Sequence, residues 1–156
     1  MMTFGQYMQA LAQRRGLRRS PEGSSATYRF KHDSRTALTV VTHELDPTRP
    51  AQVMSESWPV PLSPSAHAEF LRESLNFNRN ALHHLHAGIR LDPLGAHQYR
   101  LVWEVPAHPQ SEQEWSSRLR LFALLAQRAW DLLPRPGGRV GARPRGEEDG
   151  HMIFMP

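Results

Sequence analysis

The sequence has no cysteine and a single lysine, Lys31. Without thiols the chain can form neither disulfides nor cysteine-ligated metal sites, which is typical of a protein that works in a reducing compartment. No uninterrupted apolar run approaches the roughly 18 residues that a membrane-spanning helix needs. Residues 1–16 also lack a charged leader followed by an apolar core. These absences predict a cytoplasmic protein that does not insert into a membrane.

Sequence motifs for catalysis are missing as well. There is no Gly-x-Ser-x-Gly elbow, Walker loop or dinucleotide fingerprint. The carboxylates of residues 147–149 lie in a segment too rich in glycine and proline to hold acid–base geometry. His83, His84 and His86 lie close together, but no acidic residue or cysteine nearby completes a metal shell. We therefore expect no enzyme activity, no cofactor and no metal.

The clearest local pattern in the chain runs from residue 87 to residue 106. Large apolar residues recur at every second position over residues 89–91 and again over residues 99–105, where they alternate with Arg100, Val102 and Glu104. A period of two sends side chains to opposite faces of a strand. Residues 92–95, Asp-Pro-Leu-Gly, favour a turn, because proline presets φ and glycine accepts a positive φ. The pattern predicts a β-hairpin.

Amphipathic helices are predicted on both sides of this hairpin and near the N-terminus. Thr3 with Gln6 and Ser111 with Glu114 form capping boxes, and Pro64 is favoured as a first helical residue. The apolar stripes recur at spacings near 3.6. They comprise Phe4, Tyr7, Met8, Leu11 and Ala12; Phe70, Leu71, Leu75, Asn78 and Leu82; and Trp115, Leu119, Phe122, Ala123, Ala126, Trp130 and Leu133.

Alternating and β-branched residues predict three strands over residues 26–32, 36–45 and 52–60, after a polar link at 20–25. The resulting order is α-β-β-β-α-β-β-α, which favours an α+β two-layer sandwich with an antiparallel sheet. We expect residues 1–133 to form one domain. Residues 134–156 are rich in Gly, Pro and Arg and predict a flexible C-terminal tail.

The ordered set of helix, LDP hairpin, proline and tryptophan-ending helix resembles the class I type III secretion chaperones, the Tir-chaperone (CesT-like) family. Four segments carry the resemblance: residues 71–76 (LRESLN), 88–93 (GIRLDP), 101–106 and 121–133. It implies a type III secretion chaperone-like fold and a homodimer. Such a chaperone binds the extended N-terminal region of one or several secreted effectors and keeps that region unfolded and export-competent. A secretion-apparatus ATPase or sorting component would receive the complex.

The resemblance also implies which residues make contacts. The second helix and the hairpin would form the dimer interface, with Leu71, Leu75, Leu82, Ile89, Leu91 and Val102 as its candidates. The first helix and first strands would bind the client through Phe4, Tyr7, Leu11, Tyr28, Phe30, Leu38 and Val40. Independently, four apolar residues fall opposite their strands' core stripe and predict an exposed apolar patch. They are Val41, Met54, Trp58 and Val102.

An alternative interpretation starts from the basic residues. Arg14, Arg15, Arg18 and Arg19 equal in number the formal net charge of +4. Such a cluster can bind phosphates, which would make the chain a small basic nucleic-acid-binding or regulatory module. Arginines at a helix C-terminus are also favoured by the helix dipole, and no aromatic residues interleave with these four. We therefore expect no nucleic-acid partner, but the alternative remains open at this stage.

Overall fold

A computed structural model of the protein describes residues 1–33, 36–46, 48–61, 63–84, 88–95 and 97–132, and at residues 81–84 and 132 it describes only the backbone. Within these ranges, three helices pack on an antiparallel sheet. The predicted α+β class is therefore confirmed. The predicted tail, residues 134–156, lies outside the described residues, as does His86.

The helices are α1 (Phe4–Arg15), α2 (Pro64–His84) and α3 (Glu112–Leu132). In the described part of the chain the sheet has seven strands: β1 (Arg19–Glu22), β2 (Ser25–Lys31), β3 (Ala37–His43), β4 (Ala51–Ser55), β5 (Trp58–Pro59), β6 (Ile89–Pro93) and β7 (Gln98–Val105).

All strand pairs in the sheet are antiparallel, and neighbours follow the order β1-β2-β3-β4-β7. Both β5 and β6 also pair with β7. Because Tyr99 pairs with Trp58 on one side and Pro93 on the other, β5 continues the line of β4, while β6 lies along the opposite edge of β7. One row of buried side chains crosses five strands through Tyr28, Val40, Val53, Trp103 and Ile89.

The helices cover the face of the sheet that carries this row. The ring of Phe4 on α1 lies edge-on to Trp103, with ring centroids 5.8 Å apart. Phe122 of α3 stacks on Trp103 at 6.2 Å. On the same face of β7, Tyr99 contacts Phe70 of α2 at 4.9 Å. Aromatic rings bury large apolar areas, so these contacts help to hold the helices on the sheet.

Both predicted capping boxes are present. The Gln6 amide N–H donates to Thr3 Oγ1 at 3.2 Å, and the Thr3 amide N–H donates to Gln6 Oε1 at 2.9 Å. At α3, the Ser111 amide N–H donates to Glu114 Oε2 at 2.8 Å. This hydrogen bond, followed by the one from the Ser111 hydroxyl, lowers the pKa of Glu114. Gly16 ends α1 with φ of 63°, the left-handed cap that the sequence predicts.

The strand count differs from the predicted five. Residues 20–25 were expected to be a polar link, but β1 lies there and pairs with β2 through a hairpin whose loop is Gly23–Ser24. Gly23 adopts φ of 61°, which a two-residue hairpin loop requires and only glycine adopts without strain. The predicted strand over residues 52–60 is divided into β4 and β5. Exposed polar strands such as β1 carry no apolar alternation, so periodicity could not find it.

A β-bulge explains the division and corrects a prediction. Met54 pairs with Val102 and Trp58 pairs with Tyr99. The segment from β4 to β5 therefore has one residue more between these pairs than β7 has. An extra residue turns the following side chains to the other face. Trp58 therefore points into the core and is only 3% exposed, and the prediction that it lies on the opposite face is wrong.

The exposed apolar patch predicted from strand alternation is also wrong. Met54 and Val102 do lie opposite the core row, because they alternate with Val53 and Trp103 in the register. Both are nevertheless buried, and Val102 is only 2% exposed. Val41 alone of the four predicted residues keeps partial exposure.

Candidate functional site

An exposed leucine stripe on α2 is the clearest apolar surface in a predicted contact region. Leu71 is 40% exposed and Leu75 is 70% exposed. One turn separates them, so they are neighbours on the helix surface. The inward side of the same helix buries Phe70 and Ser74. These two leucines are members of the predicted dimer interface; Leu82 lies within α2, but its side chain is outside the described part of the chain.

The other predicted interface residues are buried within a single chain. Ile89 and Leu91 lie on the core face of β6, opposite Trp103 and Leu101 of β7. Val102 is buried on the outer face. In this conformation the three residues hold the hairpin in place and offer no apolar area to a second copy. The sequence shows that the three residues are apolar, but it could not show that they are buried within a single chain.

The edge of the hairpin beside α2 is held by polar contacts. The Leu91 amide N–H donates to Asn78 Oδ1 at 2.9 Å, which ties β6 to the helix. On the outer face, Arg90 donates to Glu104 Oε1 at 2.8 Å and to Asp92 Oδ1 at 2.7 Å. These hydrogen bonds, led by the one to Glu104, raise the pKa of Arg90. The helix that carries the leucine stripe is therefore hydrogen-bonded to β6, whose outer face carries Arg90 and Asp92.

The structure brings the seven predicted client-binding residues together, but as core. All of them are buried: Phe4, Tyr7, Leu11, Tyr28, Phe30, Leu38 and Val40. They form the contact between α1 and the core face of β2 and β3. The sequence shows only that these residues recur with apolar periodicity. A binding groove and an internal core face have the same periodicity, so the pattern does not distinguish them. Their role in client binding stays a prediction, and in this conformation none of them is accessible.

The basic cluster at the end of α1 is partly paired with carboxylates. Arg14 forms an ion pair with Glu112, and Arg19 forms one with Glu44. The hydrogen bond to Glu44 raises the pKa of Arg19. Among the described residues, Arg15 and Arg18 form no ion pair. Half of the cluster therefore already has a protein anion as its partner.

A cleft that the sequence did not predict lies between the bulge and the C-terminal part of α3. Its volume is about 380 Å³. Trp58 and Trp130 form an edge-to-face pair in its wall, with ring centroids 6.1 Å apart and planes at 77°. The carboxylates Glu56 and Asp131 also line it. Periodicity assigned Trp58 to the wrong face and Trp130 to the core stripe, so no pattern in the chain predicted that these two side chains meet.

No helix in the described ranges is long and apolar enough to cross a membrane. Within those ranges, no three His, Cys, Asp or Glu side chains gather where they could hold a metal ion. The imidazoles of His83, His84 and His86 are outside the described part of the chain.

The chain was compared with protein-family models, curated proteins and solved structures, and none of the three comparisons found a match. The chaperone resemblance therefore depends on the sequence segments quoted above and on no detected relative.

Proposed function

We propose that this chain is a homodimeric export chaperone of the class I type III secretion kind. It binds the extended N-terminal region of one or several secreted effectors and keeps that region unfolded until a secretion-apparatus component receives it. The observation that carries the proposal is the exposed pair Leu71 and Leu75 on α2, at the position where the resemblance puts the dimer contact. The α+β fold is compatible with the proposal.

The leucine stripe supports a contact because water-exposed leucines are costly to leave uncovered. Transfer of apolar surface out of water contributes about 25 cal/mol per Å². Two neighbouring leucines on one helix give a self-complementary surface when two copies meet about a twofold axis. The polar residues Arg90, Asp92 and Glu104 on the adjacent hairpin would then form the rim of the interface.

Client capture needs no nucleotide in this proposal. An extended peptide can add a strand to the edge of a sheet, where main-chain hydrogen bonds give affinity. β1 is an edge strand of the described sheet, and all four of its residues are exposed. Pro21 removes one hydrogen-bond donor from β1, which limits uncontrolled edge pairing. The ordering cost of the client is offset by the apolar area that it buries.

The dimer is tested by light scattering on the full chain. We expect twice the 17.8 kDa mass of one chain at micromolar concentration. The double substitution Leu71→Ser and Leu75→Ser should weaken the dimer by roughly thirtyfold, since about 2 kcal/mol of apolar burial is lost. Leu124→Ser on α3 is the matched control, because Leu124 is 56% exposed but lies outside the stripe. A monomeric wild-type chain would contradict the proposal.

Export is tested in the host cell. Deleting the gene should remove one or a few proteins from the type III secreted fraction, as measured by mass spectrometry of the culture supernatant. The wild-type gene and the Leu124→Ser variant should both restore them, while the variant with both stripe leucines replaced should not. An unchanged secreted fraction after the deletion would count against the chaperone.

The nucleic-acid alternative has less support, because Arg14 and Arg19 are paired with carboxylates. It predicts that the chain binds duplex DNA and that its affinity for the duplex falls steeply as the salt concentration rises. This salt dependence should become shallower when Arg15 and Arg18 are changed to serine. Fluorescence anisotropy with a labelled duplex measures this directly. Under the chaperone proposal, neither wild type nor variant should show such binding at physiological salt.

A further inference from the structure

A second pair of exposed leucines lies on α3, apart from the leucine stripe of α2. Leu121 is 39% exposed and Leu124 is 56% exposed. One helical turn separates them, so they are neighbours on the helix surface. The opposite side of α3 is buried against the sheet through Phe122 and Ala126. Leu121 and Leu124, called here the α3 leucine pair, therefore form an apolar area on the outer side of the helix.

Positive charge borders the α3 leucine pair. Arg120 lies one turn before Leu124 and Arg128 lies one turn after it, and both arginines are exposed. Among the described residues, neither arginine forms an ion pair. No acidic residue occurs between residues 115 and 130. This surface therefore favours a ligand that combines apolar side chains with negative charge.

The sequence that follows α3 has this combination. Residues 147–149 are Glu-Glu-Asp and form an acidic block, and residues 152–155 are Met-Ile-Phe-Met. The arginines of residues 134–146 would be repelled by Arg128, so the acidic block is the part of the tail that complements α3. Charge does not favour the same segment at the leucine stripe of α2, because Glu69 and Glu73 lie beside it.

The order and length of the chain also suit this contact. A chain that turns back from the end of α3 passes Arg128 first and then Leu124 and Leu121. The acidic block precedes the apolar residues, so the two orders agree. Leu124 lies about 12 Å along the helix from the end of α3. A flexible segment as long as residues 133–146 spans roughly 20 Å, which is enough to return over that distance.

We propose that residues 147–155 fold back onto α3 of their own chain. The acidic block pairs with Arg128, and the apolar residues behind it cover the α3 leucine pair. Because the segment is tethered to the helix that it covers, its effective concentration there is high and a modest contact suffices. The contact lies within one chain and does not involve the leucine stripe, so it can be right or wrong independently of the chaperone function.

The test is disulfide exchange in the full chain, which has no cysteine of its own. Gly150→Cys with Gln127→Cys places one thiol in the tail and the other one turn from Leu124. Gly150→Cys with Asn76→Cys is the matched control, because Asn76 is exposed on α2. Equilibration with glutathione measures the effective concentration of each thiol pair. We expect the value for the α3 position to be about tenfold higher than the value for α2.

Changes on α3 test the two parts of the contact separately. Leu121→Ser with Leu124→Ser should lower the effective concentration at the α3 position by about tenfold and leave the α2 value unchanged. Arg120→Glu with Arg128→Glu should lower it by about fivefold. Changing residues 147–149 to lysine in that same chain should restore it. Circular dichroism should show every variant folded, and light scattering should give each the mass of the wild type.

Equal effective concentrations at the α3 and α2 positions would overturn the proposal. An unchanged value after the leucine substitutions would do so too, because the α3 leucine pair would then not be what the tail covers. If the lysine block fails to restore the value, the charge complementarity is wrong and the proposal with it. A disulfide product of twice the chain mass on a non-reducing gel would place the tail of a second copy on this face, which would also overturn it.

Discussion

Removing one hydroxyl at the bulge should destabilise the whole sheet. The extra residue of the bulge displaces the strand's backbone, so no main-chain carbonyl of the described residues accepts the Leu101 amide N–H. Ser55 Oγ accepts it instead, at 3.0 Å. The same hydroxyl donates to the Glu56 carbonyl at 2.8 Å. Ser55→Ala leaves the Leu101 N–H buried without an acceptor, and Leu101 is fully buried. We expect a loss of about 2 kcal/mol in the free energy of unfolding.

Urea denaturation followed by circular dichroism measures this loss, with all variants at one protein concentration because dimer formation would shift apparent stability. The denaturant dependence, m, should not change, since the fold and its buried area stay the same. Ser57→Ala is the matched control two residues away. Its exposed hydroxyl donates to Gln98 Oε1 in a long hydrogen bond of 3.4 Å. The change should therefore cost less than about 0.5 kcal/mol.

Ser55→Thr provides a rescue arm, because threonine keeps the hydroxyl and suits a strand. It should recover most of the lost stability. If Ser55→Ala unfolds within about 0.5 kcal/mol of wild type, the Leu101 amide has another partner and the role assigned to Ser55 is refuted. A loss of the same size in Ser57→Ala would equally refute the reasoning, because it would mean that any change at the bulge is harmful.

Two further predictions concern a half-buried histidine, His32, and a glycine. Burial, followed by the charge of Arg15, lowers the pKa of His32 from its ordinary value of 6.5, so the unfolded chain binds more protons at acidic pH. The free energy of unfolding should therefore be highest above about pH 6.5 and fall as the pH drops through the folded pKa of His32. His32→Gln should flatten the pH dependence of the urea midpoint. An unchanged dependence would contradict this. Gly88 has φ of 107° and an added Cβ would lie 2.7 Å from the Glu104 carbonyl oxygen, so Gly88→Ala should cost more than about 2 kcal/mol. Gly95→Ala, where φ is 72° but space is open, should cost about 1 kcal/mol, and equal losses in the thermal melts would disprove the steric argument.

The sequence by itself determined the features of this protein that depend only on neighbouring residues. Thr3 and Ser111 cap their helices, and Gly16 ends α1, because these effects act over three or four residues and need no distant partner. Large apolar residues recur at every second position over residues 89–91 and 99–105, and the pairing of these segments as β6 and β7 follows the turn between them. The α+β class follows from the order of such elements.

The tertiary structure alone decided which apolar side chains remain accessible. Leu71 and Leu11 have the same periodic signature, yet α1 buries Leu11 against the sheet while α2 leaves Leu71 exposed. The face of Trp58 was decided by a single extra residue at the bulge, where Ser55 replaces a backbone acceptor. Alternation can be read from the chain, but a one-residue change of register reverses it and leaves no mark in the pattern. The cleft beside Trp130 exists for that reason, since residues 58 and 130 meet only when the strand has been bent and α3 has packed against it.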